Sequence, residues 1–423
     1  MNVIIINDSA HINGGAAKVA IQQAAGLADR GHRVYFVCAV SPVAAELLHD
    51  NITVLCSRQH DLLANPSRLQ AFIQGWWNST ASRIVYELLG VVHPGDTIIH
   101  LHTWRALSAS TIRSACGSAI PVLCTLHDFQ LACPNGTFFN HSTQQICELR
   151  PLSSACVQSN CDTRSYGQKL WRVGRQLIQQ ELGWAPSGIQ HFIAHSQLAN
   201  QIMRPYLPLG YNIHHLPIYI ESALGRPINV EDNEGLVYLG RLVREKGVVL
   251  AARSAAAENF PITFVGDGPM SAEIRAANPS AVITGWVDQA GSLEHLRAAR
   301  ALIFPSLWHE TLGLVVLEAA AVGIPAIVPD TSGAAELVLD GTTGLHFKSG
   351  DEDDLRERMN QLRDRTFVRR LGRNAHEHFW ASDYGSLDIH LSSLERIYLK
   401  ILQQQPTEAA IKRTSLEVQS VGQ

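Results

Sequence analysis

The chain has no run of about eighteen consecutive apolar residues, so no membrane-spanning helix is predicted. It has no excess of positive charge, which removes the electrostatic footprint of a nucleic-acid-binding protein. Its 34 lysines and arginines against 38 aspartates and glutamates leave a net charge of −4. The N-terminus lacks a basic stretch and its first apolar run, residues 3–6, is too short for a secretory signal; the expectation is a cytoplasmic protein. The strand–turn–helix opening lacks the full G-x-G-x-x-G fingerprint, which weakens a nicotinamide oxidoreductase reading. The eight cysteines include no C-x-x-C knuckle. What is there is an ordinary globular composition, 46% hydrophobic and 17% charged over 423 residues, enough for two or three domains with real cores.

The most informative stretch is residues 301–330, ALIFPSLWHETLGLVVLEAAAVGIPAIVPD. It reads as a short buried strand at 302–305, a loop, a helix over 313–322, a Gly323/Pro325 break and another apolar strand, a βαβ unit of a parallel sheet. Between Glu310 and Asp330 the only charged side chain is Glu318, in a helix apolar on every side. Such a helix is buried, and a lone buried carboxylate needs a partner. Eight residues of helix set the two glutamates roughly 12 Å apart at most. The amides near Gly313 and Leu314 face the same cleft and favour an anion. Carboxylates for sugar hydroxyls beside amides for phosphate suggest a nucleotide-sugar site.

The other motifs fall at strand ends. After the first strand comes a loop with Gly14-Gly15, where backbone can approach a ligand closely, then a helix to residue 29 and a strand at 33–39. Residues 63–92 read as mostly helical. Strands at 97–101 and 122–126 end at His100, His102 and Trp104, and at His127-Asp128; strand ends are where ligands meet open parallel sheets. Residues 191–196 are expected to be the last strand of a first domain. A second domain opens at 235–240 with a strand running into residues 241–247. Arg241 and Lys246, five residues apart there, can neutralise a pyrophosphate leaving group without a metal. The strand 262–265 enters the turn Gly266-Asp267-Gly268-Pro269, and a further strand ends at 283–288.

Glu310, seven residues, then Glu318 resembles the E-x7-E signature of the retaining GT-B glycosyltransferases of family GT4. The G-R-L-x-x-E-K-G run at 240–247, the V-G-D-G-P turn at 265–269 and the strand-end His127-Asp128 are similar to further motifs of that family, and Gly14-Gly15 resembles its donor-facing glycine loop. The resemblance covers nearly the whole chain and is densest over 235–347. It implies an α/β fold of GT-B type: two Rossmann-like doubly wound domains facing a central cleft, with a C-terminal helix returning to the first. The expected divisions are 1–205, an acceptor-binding domain with a cysteine-rich insertion at 133–161; 206–234, a linker; 235–380, the nucleotide-sugar domain; 381–403, the returning helix; and 404–423, a disordered tail. Phe379, Trp380 and Tyr384 are expected to cross back to the first domain.

The resemblance also implies metal-independent transfer of a sugar from a nucleotide-diphosphate sugar to an acceptor hydroxyl, with retention of configuration. Glu310 would bond the donor sugar, Glu318 the ribose, Arg241 and Lys246 the diphosphate, and His127 would lie near the anomeric carbon. Gly14, Gly15, Gly240, Gly266, Gly313 and Leu314 would shape the donor site, and Val287 would meet the base. By the same analogy the acceptor is an oligosaccharide or a lipid-linked sugar in bacterial cell-surface or exopolysaccharide synthesis. Other GT-B enzymes (an epimerase or a phosphorylase) and a non-catalytic nucleotide-sugar-binding protein stay open.

Two segments stand apart. Cys133, Cys147, Cys156 and Cys161 cluster among polar loop residues, which suggests a structural Zn²⁺ site; free thiols and disulfides formed during purification are the alternatives. Residues 164–184 read as an amphipathic helix with Lys169, Arg172 and Arg175 on one face. That face is expected to rest on the anionic inner surface of the cytoplasmic membrane. The D-x-D at 351–353 precedes a helical pattern and is read as an acidic helix start.

Overall fold

A computed structural model describes residues 1–62, 65–220 and 227–404. The tail beyond Gln404, and with it the expectation of disorder there, lies outside the described residues, as does part of the expected linker.

The first domain is built on strands β1 (Asn2–Ile6), β2 (Arg33–Cys38), β3 (Ile52–Cys56), β4 (Thr97–Leu101), β5 (Val122–Leu126), β8 (His191–Ala194) and β9 (Asn212–His214), in the order β3-β2-β1-β4-β5-β8-β9. Every pairing in it is parallel. Parallel strands covered on both faces read as unbroken apolar runs, as in NVIII of β1 and VLCTL of β5. The short strands β6 (Phe139–Asn140) and β7 (Gln145–Ile146) form a separate antiparallel ribbon in the cysteine-rich insertion. The second domain has β10 (Leu236–Leu239), β11 (Ile262–Val265), β12 (Val282–Gly285), β13 (Ala301–Ile303), β14 (Ala326–Pro329) and β15 (Gly344–Phe347) in the order β12-β11-β10-β13-β14-β15.

In both sheets the order reverses beside the first strand, between β1 and β4 and between β10 and β13. Ligands of open α/β sheets bind outside the carboxyl ends of the strands at such points. The loops leaving β1, β5, β10 and β13 carry Gly14-Gly15, His127, residues 240–247 and Glu310, so the topology gathers the candidate motifs before any side chain is considered.

In its fold the structure departs from the sequence reading in two places. Residues 191–194 are not the last strand: β9, inside the expected linker, pairs with β8 at the sheet edge. The described part of 63–92 is mostly helical, as expected, and divides into two helices, Arg68–Trp76 and Ser79–Leu89, because the Asn78 side chain accepts the Ala81 amide at 3.1 Å and starts the second. Phe379 and Trp380 do not cross back. They end the helix Arg365–Ala381, Phe379 in the second-domain core and Trp380 Nε1 donating to Ala321 O at 3.1 Å. The return is made after the break at 383–385, by the helix Leu387–Gln403. Its Leu391, Leu394, Ile397, Tyr398 and Ile401 are buried with Val3, Ile5 and Leu27 of the first domain.

Candidate functional site

Glu310 Oε1 accepts hydrogen bonds from Ser306 Oγ at 2.9 Å, Trp308 Nε1 at 2.5 Å and the Lys246 ammonium. Burial is the largest single influence on this carboxyl and pushes its pKa up, but the Lys246 charge and the hydrogen bonds together outweigh it. The net position is below the ordinary glutamate value, so Glu310 is ionised. Lys246 is delivered by a loop that only glycine permits. Gly247 has φ 68°, and a Cβ there would lie 1.9 Å from the Pro305 carbonyl oxygen at the exit of β13. The Leu307 amide donates to Glu245 O at 2.9 Å and joins the same two loops. From the other side, a Cβ on Gly266 would lie 2.0 Å from Gly240 O, and Leu242 N donates to Asp267 O at 2.9 Å. The turn at 265–269 is thus the bed on which residues 240–247 lie. Arg241 extends its side chain into solvent while its carbonyl accepts the buried Tyr238 hydroxyl at 2.8 Å.

The helix Leu314–Ala321 is capped by Gly313 at φ 122°, where a Cβ would stand 3.0 Å from Ala334 Cβ. Glu318 is 29% exposed instead of fully buried, and the partner it needs is Lys18, whose Nζ lies 3.5 Å from Glu318 Oε1. Lys18 belongs to the first turn of the helix Gly15–Asp29 in the other domain. Beside it, a Cβ on Gly15 would lie 3.0 Å from Leu314 Cδ1. Thr311 Oγ1 donates to His127 O at 3.0 Å, and the Gln197 and Leu198 amides both donate to the Glu336 carboxylate at 2.7 Å. The cleft is therefore closed over Gly15, His127, Leu314 and Glu318, which the sequence reading named, and over Lys18, Ser306, Trp308 and Thr311, which it missed. Lys18 did leave a signal: it is the only cation in the helix GAAKVAIQQAAGLAD.

His127 lies among other histidines. Its Nε2 is 2.9 Å from His102 Nδ1, and its ring centroid is 5.3 Å from that of His195. His100, behind them, bonds Tyr398 Oη and Thr125 Oγ1, each at 2.7 Å. Burial, reinforced by the neighbouring imidazoles, holds His100, His102 and His127 well below the ordinary histidine pKa, so all three are neutral. Val287 sits just before the helix Gln289–Arg297, partly buried against the second-domain core, and Asp288 caps that helix by accepting Gly291 N at 2.8 Å. Asp351 caps the helix Glu352–Gln361 through Asp354 N at 3.1 Å, so the D-x-D is a helix start.

The cysteine cluster does not fit a structural zinc. All eight cysteines are free, and among the described residues no group of three or more His, Cys, Asp or Glu is arranged to hold a metal ion. A cation of the protein's own stands there instead: the buried Lys169 Nζ donates to Cys161 Sγ at 3.1 Å and Cys156 Sγ at 3.5 Å. Cys133 Sγ is committed to Asn135 Oδ1 at 3.0 Å. The basic helix face is corrected by the same geometry. On the helix Tyr166–Glu181 Lys169 turns inward to the thiols, and Arg172 pairs with the buried Asp162 at 2.9 Å. Arg175 reaches Pro134 O at 3.4 Å. Buried carbonyls, thiols and one carboxylate claim these cations, so they do not form an outward basic face.

Two parallel-sheet domains with strand-end glycine loops facing across a cleft define the GT-B architecture. Residues 225–378 match the family described as Glycosyl transferases group 1, and residues 13–217 match Glycosyltransferase Family 4. The chain belongs to the GT4-type GT-B glycosyltransferase family. A GDP-mannose-dependent alpha-mannosyltransferase of Mycolicibacterium smegmatis is 35% identical over 124 residues, which are 29% of this chain and 31% of that protein. The chain thus spans about a third of the length of this curated relative. Among solved structures, sucrose-phosphate synthase from Thermosynechococcus elongatus has a TM-score of 0.70 at 18% identity, covering 95% of this chain and 99% of that one. Anabaena HepE in complex with UDP and glucose has a TM-score of 0.63 at 16% identity, covering 94% and 99%. At these identities the two structures establish the shared fold.

Proposed function

We propose that the protein is a retaining glycosyltransferase that moves a sugar from a nucleotide-diphosphate sugar to an acceptor hydroxyl without a catalytic metal. The observation that carries the reading is the Lys246–Glu310 pair at the head of the helix Leu314–Ala321, set across the cleft from Gly15, Lys18 and His127. Lys246 and Arg241 supply two cations, and the amides at Gly313 and Leu314 supply donors, where negative charge grows on a departing diphosphate. Glu310 is ionised and accepts from donor-sugar hydroxyls; Glu318 accepts from the ribose; Val287 lies against the base.

In this reading the acceptor oxygen attacks the anomeric carbon on the face from which the diphosphate leaves. The sugar–phosphate C–O bond breaks, its electron pair stays with the diphosphate oxygen, and that oxygen takes the acceptor proton. His127, held neutral, orients the sugar by a hydrogen bond and does not act as an acid. The acceptor is an oligosaccharide or a lipid-linked sugar in bacterial cell-surface or exopolysaccharide assembly, at the cytoplasmic face of a membrane; family analogy supports this part. GDP-mannose and UDP-glucose are the first donors to try, given the relative's name and the ligands in the HepE complex.

Calorimetric titration with UDP-, GDP- and ADP-sugars, first without metal and then with magnesium, tests the reading. One nucleotide class is expected to bind without metal and to be slowly hydrolysed. Absence of binding, or binding that needs magnesium, overturns the site.

A further inference from the structure

Cys38 and Cys56 end two neighbouring strands. They are the last residues of β2 and β3, and the parallel register sets them directly opposite one another. Both side chains lie on one face of the sheet, in the cluster that holds Val3, Phe36 and Leu47. Adjacent strands run about 4.8 Å apart, within the roughly 4.4–6.8 Å between Cα atoms that a disulfide spans. Both thiols are free.

Local geometry makes one of the pair the nucleophile. Arg58 holds a left-handed φ of 51°, uncommon for a residue with a side chain, and its amide donates to Cys56 Sγ at 3.4 Å. An amide aimed at sulfur stabilises a thiolate. The Cys38 thiol, hydrogen-bonded to the same sulfur, acts most strongly and brings Cys56 below the ordinary thiol pKa, against the opposing effect of burial. Cys38 is fully buried; the same hydrogen bond and its desolvation raise it, so it keeps its proton. Of the three partly exposed thiols, Cys116 and Cys147 are pushed up by burial and only Cys56 is held down.

An accessible thiolate beside a protonated resolving thiol is the arrangement that reacts with peroxide. We propose that Cys56 and Cys38 form a peroxide-oxidised modification site that closes a reversible disulfide between β2 and β3. Cys56 Sγ attacks one oxygen of hydrogen peroxide: the S–O bond forms, the O–O bond breaks, and hydroxide leaves with the electron pair. Sulfur is oxidised to a sulfenic acid and the peroxide is reduced. Cys38 Sγ then attacks Cys56 Sγ; the S–S bond forms, the S–O bond breaks, and the departing hydroxide takes the Cys38 proton as water. The net change converts two thiols and one hydrogen peroxide into one disulfide and two waters. The link stands at the carboxyl edge of the first sheet, three positions before Gln59. The Gln59 side chain donates to Ala106 O at 2.8 Å, which ties the loop leaving β3 to the loop that carries His102. This chemistry is independent of the glycosyl transfer proposed above.

Peptide mapping by mass spectrometry without reductant tests the proposal. After brief exposure to hydrogen peroxide, the peptides holding Cys38 and Cys56 are expected to be joined and two hydrogens lighter, and dithiothreitol should separate them. On the reduced protein, iodoacetamide should modify Cys56 at least about tenfold faster than Cys116 or Cys147. Cys38→Ser should react more slowly with peroxide and leave Cys56 as a sulfenic acid that dimedone traps; Cys56→Ser should abolish the link. The wild-type measurements stand even if a variant fails to fold. Absence of the 38–56 link under peroxide that oxidises the other thiols, or alkylation of Cys56 no faster than of Cys116, overturns the proposal.

Discussion

Lys18 Nζ lies 3.5 Å from Glu318 Oε1, and the two residues stand 300 positions apart in different domains. Each is a lone charge within an apolar helix. The helix Gly15–Asp29 carries no other charge until its final residue, and the helix Leu314–Ala321 carries none but Glu318. Two such helices can turn those faces to one cleft only if the charges meet. The pair is partly exposed, at 14% and 29%, so solvent screens it and its strength is on the order of 1 kcal/mol.

Lys18→Met is therefore expected to weaken donor binding, since Glu318 then faces the ribose site uncompensated. Calorimetry on Lys18→Met, Glu318→Gln and the double variant should give a coupling of about 1 kcal/mol. Strict additivity would show that the contact has no part in donor binding.

Removing the Lys246 charge strikes the diphosphate position and leaves a buried carboxylate at Glu310 without its cation. Lys246→Ala is expected to lower kcat/KM by at least about a hundredfold. The circular dichroism spectrum should be retained. Near wild-type turnover would exclude Lys246 from the site.

Glycines 247 and 14 should behave in opposite ways. Gly247→Ala places a methyl 1.9 Å from Pro305 O at a left-handed φ of 68°, and the expected cost is about 2 kcal/mol or more. Gly14 is extended at φ 166°, with nothing within 4 Å of its Cβ position, so Gly14→Ala should leave the thermal midpoint where it is. Equal effects in thermal unfolding would contradict the packing of the 240–247 loop.

The buried histidines set an acid limit on stability. His100 and His102 have pKa values held well below the ordinary 6.5 by burial, so the unfolded chain binds protons that the folded chain refuses. Their contribution is fully present above about pH 6.5 and is lost as pH falls below it toward the folded values. Glu310, whose pKa is depressed, titrates below 4.5 and does not add to this window. The thermal midpoint should fall between pH 7 and pH 5 with net proton uptake on unfolding; a flat profile would argue against neutral burial.

Metal analysis decides the cysteine cluster. With Lys169 between Cys156 and Cys161, freshly purified protein is expected to hold well under one zinc per chain. A stoichiometric zinc would require Lys169 to leave that position.

Much of the candidate site was legible in the sequence because its parts are local: Gly313 capping a helix, Lys246 and Gly247 ending a strand loop, and Glu310 eight positions before Glu318. Their residue types are dictated by backbone geometry or by a charge in an apolar helix, and both leave marks within a few positions. The helix Tyr166–Glu181 shows the limit. Its amphipathic pattern was plain, but amphipathicity does not say which face turns inward. Burial normally takes the apolar face. Here the carbonyls of loop 130–135 demanded donors, and Arg172, Arg175, Gln176 and Gln179 supplied them.

The sequence by itself determined two parallel α/β domains, the strand ends that carry the glycines and the charges, and the family to which they belong. The domains and strand ends follow from periodicity and short-range spacing, and the family from the resemblance of the motifs at 240–247, 265–269 and 310–318. Only the tertiary structure decided which residues meet across the cleft: Lys18 with Glu318, Thr311 with the carbonyl of His127, and Leu314 against Gly15. It also decided that β9 completes the first sheet and that Lys169 stands among the thiols. Contacts between distant segments are selected by the whole packed arrangement, in which each buried charge or donor must find a partner wherever the fold can supply one.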